Sequence, residues 1–474
     1  MSVNQNSDGG AEPPGEQRAA VQALVRRYGW NATSFQVLEP GYRYFFADAD
    51  ACVAYVDTGQ AWVAAGAPLT QDHRMAAVTA AFVAAARAAR RRACFFATEE
   101  RFTSIVPLRS FPIGEQPVWN PAAWPTALAS SRRLREQLRR ARGKGVQVRA
   151  ANARDAMAPG TQTRAAISAL VQRWLRSREL APLGFLVQVQ PLTLLPEHRL
   201  FLAERDDDLV ALLSMAPIYA RGGWLLQHLV RAPEAPNGTT ETLIDHAMRC
   251  AADEGASLVT LGLAPLAGDV PPALRLARRA GRALYDFEGL RSFRAKLKPA
   301  RWDRVFLSFP PGTGAVRALG DVLAAFARGG LFRFGLRTLL RGPLIVVRLL
   351  ALLLIPWTVL LASADAATWF PHPAIKWGWV VFDGGLVAGL LALQHRWRDG
   401  LARALMTAVG ADAVLTLCEA TMWNAPRTPG AVARAVLVVA SAGPLLALAT
   451  LWRARVRGKS TISVATGEAS GDAP

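Results

Sequence analysis

Hydrophobic and polar positions along this chain follow two different rhythms, one on each side of residue 341. Up to residue 310, short apolar runs of strand length alternate with longer segments of helical period. Residues 52–57 and 61–66 predict strands, 75–92 a helix and 93–97 another strand. After a strongly basic helical stretch, 199–204, 209–218 and 223–230 predict three consecutive strands. A helix over 240–254 comes next, then strands over 257–263 and 284–287. The order strands, helix, strand thus occurs twice, around residues 40–125 and 195–290, without a residue-level repeat. Two similar α/β units are the expectation. Beyond Arg341 four apolar stretches stand out: 343–364, 377–393, 401–422 and 431–452. Each is close to the ~20 residues that a helix needs to cross a bilayer.

The resulting division is a polar, disordered or partly helical tail over 1–30 and a first α/β unit with the basic helix over 31–155. A second unit covers 156–310, a linker 311–342, four transmembrane helices 343–455 and a disordered tail 456–474. Within the linker, 319–326 reads as an amphipathic helix. The first 17 residues lack the apolar core of a signal peptide. Asp383, Asp412 and Glu419 fall inside apolar stretches. Such acids are expected to face a bundle interior or an interface, with Lys376 or Arg434 as counterions. Arg333, Arg337 and Arg341 precede the first stretch, Arg396, Arg398 and Arg403 lie between the second and third, and Arg453, Arg455, Arg457 and Lys459 come after the fourth. The other two loops carry fewer cations, so both termini and the α/β region are expected on the cytoplasmic side of a membrane.

Composition sharpens this picture. Apolar residues make up 51 % of the chain, and the formal net charge is +19. A chain so basic favours polyanionic partners, either RNA or an anionic lipid surface. Cys52, Cys94, Cys250 and Cys418 are scattered without a CxxC pair, which argues against a disulfide framework. No HExxH or Cys/His cluster points to a metal, and no cofactor is expected.

Several blocks, in order and at family-like spacing, resemble the catalytic domain of bacterial phosphatidylglycerol lysyltransferases over roughly residues 35–307. They are YFFADADACVAYVDTGQAWVAAGAPL, IGEQPVWNP, LREQLRRARGKGVQVR, LVRAPEAPNGTTETLIDHAM, TLGLAPLAG and LYDFEGLRSFRAKLKPARW. The resemblance implies two acetyltransferase-like (GNAT-type) folds in tandem, here followed by a C-terminal helical transmembrane bundle. It implies transfer of an amino acid from aminoacyl-tRNA to the head group of phosphatidylglycerol, lowering membrane charge and protecting against cationic antimicrobial peptides. The family's better-known members carry their membrane helices before the catalytic domain, so lipid flipping is not carried over. The family often has an acid three positions before the arginine matching Arg231; here that position is His228, which puts lysine as the transferred residue in doubt.

Transesterification of an activated ester needs a positioned alcohol, a route for its proton and donors for the oxyanion. Arg231 and the turn Pro236-Asn237-Gly238 lie between a predicted strand and a predicted helix. A helix N-terminus beside an arginine suits an anion or ester oxygen, with Thr239 or Thr240 as cap. An ordinary tight turn with a surface arginine reads the same way from sequence, and the resemblance tips the choice toward a site. His228 is the candidate proton acceptor, or else a half-buried strand residue. Asp286 and Glu288 are candidates for the donor's amino group, and Arg291, Lys296 and Lys298 for lipid phosphate or the tRNA terminus. A solvated salt-bridge surface is the competing account of those charges. Arg132, Arg135, Arg139 and Arg142 share a helix face that fits an RNA backbone or anionic lipid equally well. The rival function is acyl-coenzyme A-dependent transfer. Its pyrophosphate-loop pattern occurs at Arg140-x-x-Gly143-x-Gly145 and Arg278-x-x-Gly281-x-Ala283, both closing a helix rather than opening one.

Overall fold

The computed structural model of the chain describes residues 15–177, 185, 196–281, 287–327, 343–363, 372–395, 399–427 and 441–452. The chain divides into two compact units: Met1–Arg178 with Pro182–Phe334, and Gly335–Pro474 with Glu179–Ala181.

The first unit opens with α1 (Gly15–Tyr28), then β1 (Arg43–Asp48), β2 (Ala51–Asp57), β3 (Ala61–Ala65), α2 (Asp72–Ala88), β4 (Arg92–Glu99), α3 (Glu100–Ile105) and β5 (Arg109–Trp119). A middle stretch holds α4 (Trp124–Ser130), α5 (Arg132–Gly143), β6 (Gln147–Asn152), α6 (Ala153–Ala156) and α7 (Gln162–Arg176). Then come β7 (Arg199–Arg205), β8 (Asp208–Ile218), β9 (Gly223–Arg231), α8 (Thr239–Asp253), β10 (Leu258–Thr260) and β11 (Ala264–Pro265). The unit closes with α9 (Pro272–Gly281), α10 (Phe287–Lys296), β12 (Arg301–Phe309) and α11 (Ala315–Phe326).

The twelve strands among the described residues join one sheet, in the order β1-β2-β3-β4-β12-β5-β10-β9-β8-β7-β6, with β11 paired to β5 at the side. Each predicted strand–helix–strand unit becomes a parallel pair with a helical crossover, β3-α2-β4 and β9-α8-β10. The other pairings are antiparallel. The near-continuous apolar runs of β2, β3 and β4 reflect burial on both faces. Cys52, Val63 and Cys94 point into one core with α1 and α11, while Val53, Ala64 and Phe95 point into another with α2. A third core under β7, β8 and β9 is filled by Ile167 and Leu170 of α7 and by Leu243, Ile244 and Met248 of α8.

The two halves do not separate at residue 155. The strand β12 returns to pair with both β4 and β5, and β6 belongs with β7 at the far edge. Residues 15–28 are also more than a tail: Val21, Leu24 and Val25 of α1 are buried in the first core. A buried ion pair bridges the halves, Arg221 after β8 donating to Glu99 at the end of β4 at 3.0 Å. Glu99 also accepts the amide of Ala32 at 3.1 Å, and Arg221 and Arg101 both stack on Trp30.

In the second unit the helices Pro343–Ser363, Pro373–His395 and Asp399–Glu419 match the first three apolar stretches closely. Two segments are long and apolar enough to cross a membrane, Pro373–Leu393 and Asp399–Asn424; Leu350–Ser363 and Ser441–Trp452 are shorter apolar helices. The fourth stretch is described only from residue 441 onward. Asp383 is buried, Asp412 accepts from Thr416, and Glu419 accepts from Trp379 Nε1 at 3.2 Å, so neutral donors rather than cations satisfy two of the three acids. Lys376 instead donates to the Ala362 carbonyl and covers Trp377. Arg434, the flanking cations at 333, 337, 341, 396, 398 and 453–459, and residues 1–14, 431–440 and 456–474 lie outside the described residues.

Candidate active site

The two crossover units are built alike but differ in what meets the helix N-terminus. In β3-α2-β4 the helix starts with its own acid, Asp72, which pairs with Arg101, so the positive end of the helix is already answered. In β9-α8-β10 the first-turn acid is Glu241, which has no ion-paired partner among the described residues and lines a surface hollow. Gly238 holds the N-cap position at φ +96°, with no side-chain cap, so neither Thr239 nor Thr240 plays that part. Thr239 is inside the first turn and turns its hydroxyl back to the Pro236 carbonyl at 2.7 Å. Asn237 is exposed in the turn.

Gly238 has a packing reason as well as a conformational one. A Cβ there would run into the backbone carbonyl of Gln137 in α5. This contact sets α5 against the start of α8, and Asp245 completes the join. Its buried carboxylate accepts from Trp124 Nε1 at 2.9 Å, from Arg142 at 3.0 Å and from Arg249 at 3.2 Å. Gly238→Ala is expected to destabilise the unit by about 1–3 kcal/mol through φ strain and displacement of α5. Thermal unfolding of the variant checks this, with Asn237→Ala, one residue away and exposed, as the control that stays near wild type.

A hollow of about 350 Å³ lies at the start of α8, lined by Trp174, Ser177, Leu229, Arg231, Ala232, Pro233, Thr240 and Phe293. A second of about 450 Å³, bordered by Arg133, Gln137, Glu241, Lys296 and Lys298, shares Phe293 with it. The two form a groove with an aromatic divider. Arg231, Arg133, Lys296 and Lys298 have no hydrogen-bonded or ion-paired side-chain partner among the described residues. Four unanswered cations around a groove and a helix N-terminus make a site for anions or for developing negative charge.

The basic helix divides differently from its sequence stripe. Arg142 is consumed by Asp245, Arg135 donates to the Leu128 and Ala129 carbonyls that end α4, and Arg139 pairs with Glu136. Arg132 remains exposed without a partner among the described residues, as does Arg133, which the stripe reading passed over and which faces the groove. Arg291 points elsewhere, bonded to Glu115 at 3.4 Å and stacked on Trp302. Glu288 is exposed in the first turn of α10. Asp286 lies outside the described residues, as do 284–286 of the expected last strand; Phe287 opens a helix. Arg294 is a residue that sequence reasoning missed. Its buried guanidinium donates to the carbonyls of Gly262 at 2.8 Å and Leu261 at 2.9 Å, fixing the helix that carries Phe293 and Lys296. A basic residue inside an apolar helical period was the available signal.

His228 is not part of the groove. It lies on β9 opposite Ser214, three residues from Arg231, and is 6 % exposed. Its Nε2 makes no hydrogen bond and lies 3.9 Å from Glu39 Oε1, with the His198 ring 6.4 Å away. Burial, with the neighbouring His198, holds its pKa down at about 3. A group so reluctant to take a proton and so far inside is unsuited to the role expected of it. Gln227 links the cluster, donating to Glu39 and meeting His198 Nε2 at 3.1 Å.

Burial raises the Glu39 pKa from 4.5 to about 8. A raised carboxyl keeps its proton in the fold after the unfolded chain has lost it, so its contribution is full below 4.5 and lost as pH rises through 8. His228 acts oppositely, losing stability as pH falls from 6.5 toward 3. Above about pH 6.5 only Glu39 of this pair still titrates. Glu39→Gln is therefore expected to flatten the loss of melting temperature between about pH 6.5 and 9.

The coenzyme A pattern fares poorly in place. Gly143 and Gly145 end α5 before β6, and Arg278 is spent on the Leu266 carbonyl at 3.0 Å.

Comparison with known proteins agrees with the fold. The C-terminal domain of a lysylphosphatidylglycerol synthetase from Agrobacterium fabrum superposes with TM-score 0.56 at 21 % identity, covering 66 % of this chain and 97 % of that one. L-PGS from Bacillus licheniformis gives TM-score 0.55 at 21 % identity, covering 68 % and 99 %. The phosphatidylglycerol lysyltransferase of Bacillus subtilis is 28 % identical over 117 residues, which are 23 % of this chain and only 14 % of that protein. Residues 22–309, from α1 to the end of β12, match the family described as phosphatidylglycerol lysyltransferase, C-terminal. The chain belongs to that family.

Proposed function

We propose that this chain moves an aminoacyl group from aminoacyl-tRNA to a hydroxyl of the phosphatidylglycerol head group at the cytoplasmic face of a membrane. The observation that carries the reading is the groove at the start of α8, with Arg231 and three further unpartnered cations around apolar Trp174, Leu229 and Phe293. Both substrates are anionic ester-bearing molecules, and the groove offers cations to their phosphates and donors to a carbonyl oxygen.

In the reaction the glycerol oxygen bonds to the aminoacyl carbon and the bond to the ribose oxygen breaks. The glycerol proton ends on the departing ribose hydroxyl. The donor ester is already activated, so positioning and oxyanion stabilisation suffice without an enzyme nucleophile. Arg231 and the first amides of α8 are the candidate oxyanion donors. Arg133, Lys296 and Lys298 are the candidate phosphate contacts. The apolar helices after residue 343 anchor the unit, and the arginine asymmetry of their flanks supports cytoplasmic termini.

The experiment is incubation of the full chain with phosphatidylglycerol vesicles, a charged tRNA pool and radiolabelled amino acids, with and without RNase. RNase-sensitive labelling of the lipid is expected, and the labelled residue names the donor. Absence of labelled lipid with every amino acid would sink the reading. Arg133→Ala with Lys296→Ala and Lys298→Ala is expected to raise KM for tRNA and to lower the slope of log KM against log salt by about 1–3.

A further inference from the structure

We infer that the outward face of α11 is a docking surface for an anionic lipid bilayer, seating the catalytic unit on the leaflet that holds its acceptor. The helix inverts the usual pattern of a surface helix, which shows polar residues to water. Its only acid, Asp321, is 5 % exposed and paired through both oxygens with Arg92 of β4, at 2.9 and 2.6 Å. Ala318, Val322 and Ala325 face the same core. The outward side carries Val316, 86 % exposed, and Leu323, 49 % exposed, while Leu319 packs against the core. Val316 and Leu323, two helical turns apart, lie on one face. The exposed charge beside them is a cation, Arg317. The Arg92–Asp321 pair fixes the rotation of the helix, because turning that face inward would expose the acid and bury an unpaired arginine.

The chain beyond α11 identifies the occupant. The family match ends at residue 309, before α11. Residues 328–342 contain Arg328, Arg333, Arg337 and Arg341 and no acid, and residue 343 begins an apolar helix. Only residues 327–342 separate α11 from that helix in the sequence. An apolar face flanked by arginines is the chemistry of a helix lying in the interface of an anionic membrane. The inference rests on the membrane location proposed above but not on the aminoacyl transfer.

The test uses the full chain in vesicles of phosphatidylglycerol and phosphatidylethanolamine. Cys250 and Cys418, the two free thiols that are not buried, are first replaced by serine. An environment-sensitive fluorophore is then placed at Val316→Cys, Leu323→Cys or, as control on the opposite side of the sheet, Arg87→Cys of α2. Lipids with a nitroxide high on the acyl chain are expected to quench labels at 316 and 323 by about half or more and to leave 87 unchanged. Equal quenching at all three positions overturns the inference. So does protection at 316 that grows with protein density without lipid quenching, which marks a second copy as the occupant. In a separate arm, Val316→Asp with Leu323→Asp is expected to raise KM for bilayer phosphatidylglycerol about tenfold and to leave KM for detergent-dispersed short-chain lipid unchanged. An equal effect on both substrates overturns the inference, whereas loss of the quenching result alone leaves the transfer reaction intact.

Discussion

Arg231→Ala is expected to lower kcat/KM for lipid aminoacylation by about two to three orders of magnitude, the cost of losing one oxyanion donor. Arg231 ends β9 beside the first turn of α8, where Thr240 lines the same hollow, and no described side chain answers its charge. Stability should barely change, because the side chain is half-exposed and ties no two elements together. Arg231→Lys should recover only part of the rate, since an ammonium supplies charge without the planar fork. The split between kcat and KM separates roles. A loss carried by kcat places Arg231 on the reacting carbonyl, and a loss carried by KM places it on a ground-state phosphate. Equal activity of Arg231→Ala and wild type would remove the α8 entrance from the mechanism.

Arg221→Ala is expected to be the most destabilising of these changes, by about 3–5 kcal/mol, or roughly 6–12 °C in melting temperature. Both side chains of the Arg221–Glu99 pair are 10 % exposed, so truncation leaves a buried carboxylate without its partner. The pair also closes the seam between the halves, with Asp303 of β12 3.8 Å from the same guanidinium. Burial raises the Glu99 pKa and Arg221 restrains that rise. Without Arg221 the carboxyl should hold its proton to higher pH. Its contribution would then be lost as pH climbs, making the variant's deficit larger in alkaline than in acidic buffer. Arg221→Met with Glu99→Leu should recover part of the loss, because an apolar pair leaves no unpaired charge. Melting curves at two pH values for the three proteins decide the matter.

Much of the fold was legible because both crossover units announce themselves. The runs around β2, β3 and β4 and around β8 and β9 are apolar enough to read as doubly buried strands, and α8 comes after a turn with glycine. What escaped was the register of long-range partners. Nothing local in β12 says that it inserts between β4 and β5, nearly two hundred residues away in sequence. Arg231, Lys296 and Lys298, named as candidates from sequence, all line the two hollows. The stripe on α5 misled because helical spacing identifies a shared face without telling which side chains already have partners. Arg142 shares that face, yet Asp245 claims it. His228 misled for the related reason that a strand position gives a face but not a depth.

The most direct test is a single-turnover reaction. Purified full-length protein in slight excess is mixed with phosphatidylglycerol vesicles and tRNA carrying one labelled amino acid, and both pools are followed in time. Label is expected to leave the tRNA and appear in lipid at the same rate and in equal amount, with Arg231→Ala slowing both together. Deacylation of the tRNA without labelled lipid, or lipid labelling that persists after the tRNA is destroyed, would contradict direct transfer from tRNA to lipid.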